Sequence, residues 1–486
     1  MMRGNGWQRR LGDRVVRRPR ERELAPIRFK AHTRHRVLLP AATSALLSLT
    51  ISFAVLISAG TLLLRLPIAS VPDGGAPWIT ALFTATSAAC VTGLVLVSSA
   101  EYWSGFGQAV IAGLMFLGGL GIMVAGLVIL TTIGRRISLN QRLVVREAMG
   151  GMSLGSMMRV GRYVVLFAVG AQVVGFVVLF ARLAFKYDAP TAAWQSLFHT
   201  ISAFNNAGFV IFPGSESLSA FQSDHLVLWA IGILIVLGAM SFPVVNELYH
   251  RLHPNRWALD TRLVVVGTLG LWAIGAIVFA AFETTNAGTL GGMSVVDKIS
   301  NGAFQAITSR TAGFSSVDFA QTADATDAVY MLLMFIGGAS GSVAGGIKIN
   351  TVMVLVVVGL AAVHGRPRPE VFKREVPYAQ IARAMALVLL ALTTLLGLVV
   401  ALAATEAAKI DAGLFRFADV AFEAVSAFGT TGLSRGVTAE LSDPGKLVVT
   451  LAMYLGRLGP LTIALGLALH ERRTPYRYAT ERVRIG

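Results

Sequence analysis

The chain has 486 residues, 55% hydrophobic and only 14% charged, with mean hydropathy +0.66 and a formal net charge of +16. A soluble protein of this length needs far more charge to cover its surface, so the composition excludes a soluble globular class. A single cysteine, Cys90, excludes an intrachain disulfide and a cysteine-based metal cluster.

Residues 1–37 form a basic tail with twelve Arg or Lys against three acids. A bilayer core of about 30 Å needs roughly 20 apolar residues per helix. The first such run predicts a span over 38–64, and with no small-residue cleavage site near its end it is expected to be retained. A shorter apolar segment follows at 77–90, then a turn at 91–94 and a second span over 107–133. The same order recurs at 160–185, 190–204, 205–209 and 225–249. It recurs again at 261–282, 296–308, 309–314 and 327–362, and finally at 380–404, 414–428, 429–433 and 445–469. A second basic tail occupies 471–486. The short segments hold about 12–15 apolar residues, too few to span, and read as re-entrant.

The charge alternates along the chain. Basic clusters at 1–37, 135–146, 251–262, 366–374 and 472–484 are separated by acid-leaning segments around 73–101, 188–224, 283–327 and 406–443. The positive-inside rule then puts both termini and every basic loop in the cytoplasm, and all four turns outside, for a multi-pass protein of the plasma (inner) membrane. On this reading the basic tail sets topology and attracts anionic membrane lipids; it is not a nucleic-acid arm.

The four turns repeat one pattern: TSAACVTGL (86–94), ISAFNNAGF (201–209), ITSRTAGF (307–314) and VSAFGTTGL (425–433). Their glycines, Gly93, Gly208, Gly313 and Gly432, are 115, 105 and 119 residues apart. One such turn reads as a helix corner with a glycine cap; four with matching sequence do not. Irregular backbone at membrane depth is tolerated only where protein or a water-filled cavity satisfies it, so four turns imply one shared cavity. The expected fold is an all-α polytopic membrane protein of about eight transmembrane helices. Its four helix–re-entrant loop–helix repeats (38–133, 160–250, 261–362 and 380–470) surround a pseudo-fourfold pore.

Selecting an alkali cation requires replacing its hydration shell with oxygens, which converging carbonyls and threonine hydroxyls do without fixed charge. Glycine permits the dihedrals that turn successive carbonyls to one axis. The candidate ligands are Val91, Thr92 and Gly93; Asn206, Ala207 and Gly208; Thr311, Ala312 and Gly313; and Thr430, Thr431 and Gly432. No acidic ring stands there, and a neutral lining fits a monovalent cation such as potassium.

A second unusual feature is FIGGASGSVAGGIKINT (335–351). Gly337, Gly338, Gly341, Gly345 and Gly346 make a continuous helix costly, at roughly 1 kcal/mol per glycine. This predicts a helix broken into a gating loop under the turns, against the competing reading of GxxxG helix packing. Arg457 lies inside the last span, where an ionisable side chain faces the bundle interior and would brake a permeating cation, or else pairs with carboxylate or carbonyls for packing. Lys348 carries the same two readings and could snorkel to the cytoplasmic side. GLMFLGGLGIM (113–123) reads as close helix packing, and His199 and Glu423 as hydrogen-bonding anchors of their short helices. Arg310 breaks the neutral pattern and is expected to point away from the axis and brace its loop.

These motifs resemble the potassium-translocating membrane subunits of the Ktr/Trk/HKT superfamily. TSAACVTGL, FHTISAFNNAGF, TSRTAGF and SAFGTTGL are similar to that family's four filter loops, in order. GGASGSVAGGIK is similar to its intramembrane gate loop, and Arg457 falls where it has a pore arginine. The resemblance covers the chain beyond the basic tail. Eight spans without two additional helices at the start look like the Ktr branch. Thr431, where an apolar residue is common, and the long tail are departures.

The resemblance implies potassium uptake, stimulated by sodium, by a homodimer with one pore per subunit. It also implies a separately encoded cytoplasmic ring of nucleotide-binding, KtrA-like regulatory subunits; nucleotide acts only through that partner. The alternative is a proton- or sodium-coupled cation transporter of the Trk branch. An inverted-repeat transporter conflicts with repeats that run in parallel. A membrane-embedded enzyme would need clustered carboxylates or histidines, and the eight histidines are scattered. A scaffold has no reason to carry Arg457 and four glycine turns at membrane depth.

Overall fold

The computed structural model describes residues 41–134 and 154–469, except 73, 215–216, 252 and 367, with side chains over 49–121 and 161–459. Both basic tails and the basic cluster at 135–146 lie outside the described residues. The first repeat comprises α1 (Ala41–Leu64), α2 (Trp78–Ala89) and α3 (Gly105–Gly134). The second comprises α4 (Leu154–Leu183), α5 (Ala189–Phe204), α6 (His225–Ala239) and α7 (Phe242–His250). The third comprises α8 (Leu259–Glu283), α9 (Val295–Thr308), α10 (Asp324–Phe335) and α11 (Ile349–Val363). A two-stranded antiparallel hairpin, β1 (Glu370–Val371) and β2 (Arg374–Glu375), leads to the fourth: α12 (Tyr378–Thr405), α13 (Ala407–Asp411), α14 (Phe417–Gly429) and α15 (Asp443–Leu469). The short helices α2, α5, α9 and α14 start and stop within three residues of the predicted re-entrant segments.

Among the described residues, Gly161–Leu183, Leu259–Glu283 and Tyr378–Thr405 are single helices long and apolar enough to cross a membrane. α1, α3 and α15 continue past the residues whose side chains are described. Val174, Ile277 and Leu396 stand exposed on the long helices. Such a surface belongs in lipid, because exposing it to water costs free energy.

The repeats close on themselves. The second long helix of each repeat packs on the short helix of the next: α3 on α5, α6 on α9, α10 on α14, and α15 back on α2. Buried apolar clusters bridge the repeats, as where Phe204 and Phe304 share one core and Phe428 packs with Cys90 in another. Side-chain caps set where the short helices begin: Asp188 accepts the Thr191 N–H at the start of α5, and Ser294 the Asp297 N–H at the start of α9.

In the last two repeats a buried glutamate at the end of the first helix caps the second. Glu283 accepts from the Ala323 N–H (2.9 Å) and the Thr326 hydroxyl (2.5 Å), and Glu406 from the Ser442 N–H (3.0 Å). A carboxylate there satisfies orphan donors and complements the helix dipole.

The predicted span 225–249 is not one helix. α6 and α7 meet at a bend of 104°. Met240 and Ser241 are extended, and Pro243 stands in the first turn of α7, where its missing N–H costs nothing but its ring prevents continuation from α6.

Candidate functional site

Each short helix ends in the same backbone event. The residue two before the glycine is left-handed in all four loops: Val91 (φ 54°), Asn206 (57°), Thr311 (67°) and Thr430 (50°). The glycines follow with φ of 91°, 71°, 76° and 90°. These values are open to glycine and costly for other residues. Hydrogen bonds lock the turns, because the N–H of Thr92, Ala207 and Thr431 returns to the carbonyl of Ser87, Ser202 and Ser426, each at 2.8 Å. The Ser87 and Ser426 hydroxyls then accept from Gly93 and Gly432, both at 3.1 Å. Ile307 occupies this place in the third loop and has no hydroxyl to offer.

The four loops form a closed ring. A Cβ built on Gly93 would strike the Ala207 carbonyl, on Gly208 that of Ala312, on Gly313 that of Thr431, and on Gly432 that of Thr92. In every case it would lie 3.0–3.1 Å from the Cα of the next loop's glycine. The order runs from repeat one to four and back to one, so the four glycines and the carbonyls just before them lie together in one ring. The hydroxyls of Thr92, Thr311, Thr430 and Thr431 and the amide of Asn206 are buried there without a hydrogen-bond partner among the described residues. The four short helices all end at this ring, so the partly negative ends of their dipoles converge on it. Among the described residues no three His, Cys, Asp or Glu side chains converge to hold a metal ion.

His199 and Glu423 each stand nine residues before the glycine and hold the strand that leaves it. His199 Nε2 accepts the Ile211 N–H at 3.2 Å while Nδ1 donates to the Gln195 carbonyl, which defines a neutral ring. Glu423 accepts the Arg435 N–H at 3.0 Å and the hydroxyls of Ser434 and Thr438. Both are anchors. Asp419, on the first turn of α14, is pushed up by burial, but hydrogen bonds from Arg416 and Arg435 outweigh this and hold it below the usual carboxylate range.

Between α10 and α11 the chain leaves the helix for residues 336–348 and runs directly against the ring. Paired hydrogen bonds close its neck: Gly337 N–H to Ile347 carbonyl (2.8 Å) and Ile347 N–H to Phe335 carbonyl (3.2 Å). Gly345 packs so tightly on Thr430 that a Cβ would overlap its hydroxyl, and Gly337 faces the Thr311 methyl. The break between α6 and α7 serves this loop. The carbonyls of Gly238 and Ala239, orphaned at that helix end, accept from Val343 (3.2 Å) and Ala339 (3.0 Å).

Three cations bind the loop through carbonyls. Arg310 donates to Gly337 at 2.6 Å and to Ile336, so it braces the loop's start. Arg457 donates to Val343 and, across the bundle, to Gly118 on α3 at 3.0 Å. Lys348 donates to Ala344. The glycines at 118 and 119 pack on Ala89 and Asn205, consistent with close helix packing in that segment. Sequence reading missed Asn350, whose side chain accepts the Ser340 N–H at 2.9 Å and donates to Asp260 on α8. Nothing in the local pattern pointed to it.

A closed set of four helix–short helix–helix repeats defines the class: a multi-pass membrane transport protein. The sequence profile described as "TrkH: Cation transport protein" matches residues 25–474. The Ktr system potassium uptake protein B of Bacillus subtilis is 37% identical over 87% of this chain and 93% of its own length. The potassium/sodium uptake protein NtpJ of Enterococcus hirae is 34% identical over 89% of this chain and 95% of its own. The crystal structure of the potassium transporter TrkH from Vibrio parahaemolyticus has the same fold, with TM-score 0.68 and 18% identity over 88% of this chain and 85% of that one. The chain belongs to the TrkH family of cation transport proteins and is a transporter, not an enzyme.

Proposed function

We propose that this protein takes up potassium across the plasma membrane through the ring of glycine loops. Val91–Gly93, Asn206–Gly208, Thr311–Gly313 and Thr430–Gly432 serve as the selectivity filter. The observation that carries this reading is the ring itself: carbonyls of neighbouring loops in cyclic order, with buried threonine hydroxyls that find no partner among the described residues. Such oxygens replace an ion's hydration shell, and a buried polar group without a partner is otherwise costly. The relatives named for potassium uptake, and for potassium and sodium uptake, support the substrate and a sodium dependence. Residues 336–348, with Gly337, Gly338, Gly341, Gly345, Gly346 and Lys348, form the gate, and Arg457 holds it. Both termini are cytoplasmic and each repeat, within the limits drawn from the sequence, is one quarter of the pore. A homodimer with a nucleotide-binding cytoplasmic ring fits the likeness to Ktr system proteins.

Growth of potassium-uptake-deficient cells at limiting potassium, with and without sodium, tests the assignment. Rescue is expected, and stronger with sodium; failure in both media by protein shown to reach the membrane with a regulatory partner would remove potassium uptake. Arg457→Ala is expected to raise uptake several-fold. It frees the Val343 and Gly118 carbonyls and removes a positive charge from beneath the filter. Unchanged uptake by a correctly assembled variant would reduce Arg457 to a packing role.

A further inference from the structure

Three residues beyond the four loop glycines stand Leu96, Ile211, Ser316 and Arg435. Only the fourth loop places a charge there, and its side chain is 5% exposed, which removes it from the solvated surface. The backbone N–H of Arg435 is fixed by Glu423 at 3.0 Å. Its guanidinium reaches sideways out of the loop. Nε donates to Asp419 at 2.7 Å, and Nη2 to the Ala320 carbonyl at 3.1 Å. Nη1 pairs with Asp327 on α10 and lies 3.3 Å from the Thr322 hydroxyl. Asp327 is held in turn by Thr322 at 2.6 Å, and Asp419 by Arg416 at 3.0 Å. One side chain therefore ties the fourth loop both to its own short helix and to the third repeat. Among the described residues no other glycine loop joins a neighbouring repeat through an ion pair.

A buried ion pair stabilises little, because desolvating both charges offsets their attraction. What a guanidinium supplies is geometry, five donors in a rigid planar fork. Geometry is what the fourth loop needs. It alone presents threonines at both positions before its glycine, and neither hydroxyl has a partner among the described residues. A carbonyl ring separates two cations of equal charge by the number and placement of its oxygens.

We propose that Arg435 is a specificity-determining positioning residue, which holds the Thr430 and Thr431 oxygens at the spacing that favours potassium by tying their loop to repeat three. The inference rests on the filter reading of the ring. The test is sodium competition against potassium uptake by full-length Arg435→Gln protein in cells, normalised to protein at the membrane. A fall of about tenfold in potassium preference is expected, a ratio that mere loss of folded protein leaves unmoved. Asp327→Asn should shift the ratio the same way by less. Should Arg435→Gln fail to reach the membrane, Arg435→Lys, which keeps the charge and loses the fork, and Asp327→Asn decide by the same ratio. Unchanged preference in the assembled variants overturns the proposal. Gly432→Ser, measured alongside, separates the two readings. If it also leaves the preference unchanged, the filter reading fails; if it alone shifts the preference, only the role of Arg435 fails.

Discussion

Gly93→Ser is expected to lose potassium-over-sodium preference by about tenfold or more, the equivalent of at least roughly 1.4 kcal/mol. Two costs combine. At φ 91° an L-residue is strained by about 1–2 kcal/mol. The new Cβ would also overlap the Ala207 carbonyl, itself a proposed ligand, so relief comes only by moving filter oxygens. Because the ring is cyclic, Gly313→Ser and Gly432→Ser should act alike, displacing the Thr431 and Thr92 carbonyls. Gly208 is the mildest case: its φ is 71° and its Cβ would meet the Ala312 carbonyl at 2.8 Å. Gly208→Ser should therefore keep the most selectivity of the four. The measurement is sodium competition against potassium uptake across the series. Equal preference in Gly93→Ser and the parent would take Gly93 out of the filter, and a different ranking would contradict the steric account.

The helical plan was legible because both of its signals are local. Runs of apolar residues mark α1, α4, α8 and α12, and four apolar stretches too short to span mark the re-entrant helices. The glycine turns were legible because a repeated Ser/Thr-rich turn with one glycine encodes a repeated backbone shape. What stayed hidden depends on distance in the chain. Arg310 was expected to brace its own loop, and it braces the start of the intramembrane loop 27 residues on. Arg457 left packing against carbonyls or braking of an ion as alternatives, and its carbonyl partners, Val343 and Gly118, lie 114 and 339 residues away. The break between α6 and α7 was overlooked although Ser241, Phe242 and Pro243 carry a proline signal. Hydropathy alone joined the two helices. Repeats two and three are therefore both interrupted. The interruption in repeat two supplies the carbonyls on which the loop of repeat three hangs.

If residues 336–348 are the proposed gate, deleting residues 341–345 is expected to raise potassium flux by about tenfold and to remove the need for the proposed regulatory partner. The loop is held against the ring at several points, and this deletion takes away those made by residues 343–345. Lost are the Val343 N–H to Gly238, the Val343 carbonyl to Arg457, the Ala344 carbonyl to Lys348, and the contact of Gly345 with Thr430. Kept are the Arg310 bonds to Ile336 and Gly337 and the Ala339 bond to Ala239, so α10 and its junction stay placed. The shortened chain then joins α10 to α11 with the contact of Gly337 on Thr311 kept and that of Gly345 on Thr430 lost. Potassium flux into cells lacking the partner, normalised to protein at the membrane, gives the answer. Gly345→Ala offers a gentler version, since its Cβ would overlap the Thr430 hydroxyl and push the loop away from the ring. It should raise flux in the same direction by less. Flux as tightly controlled as in the parent, in both variants and with both at the membrane, would show that the loop is a packing element and that the gate lies elsewhere.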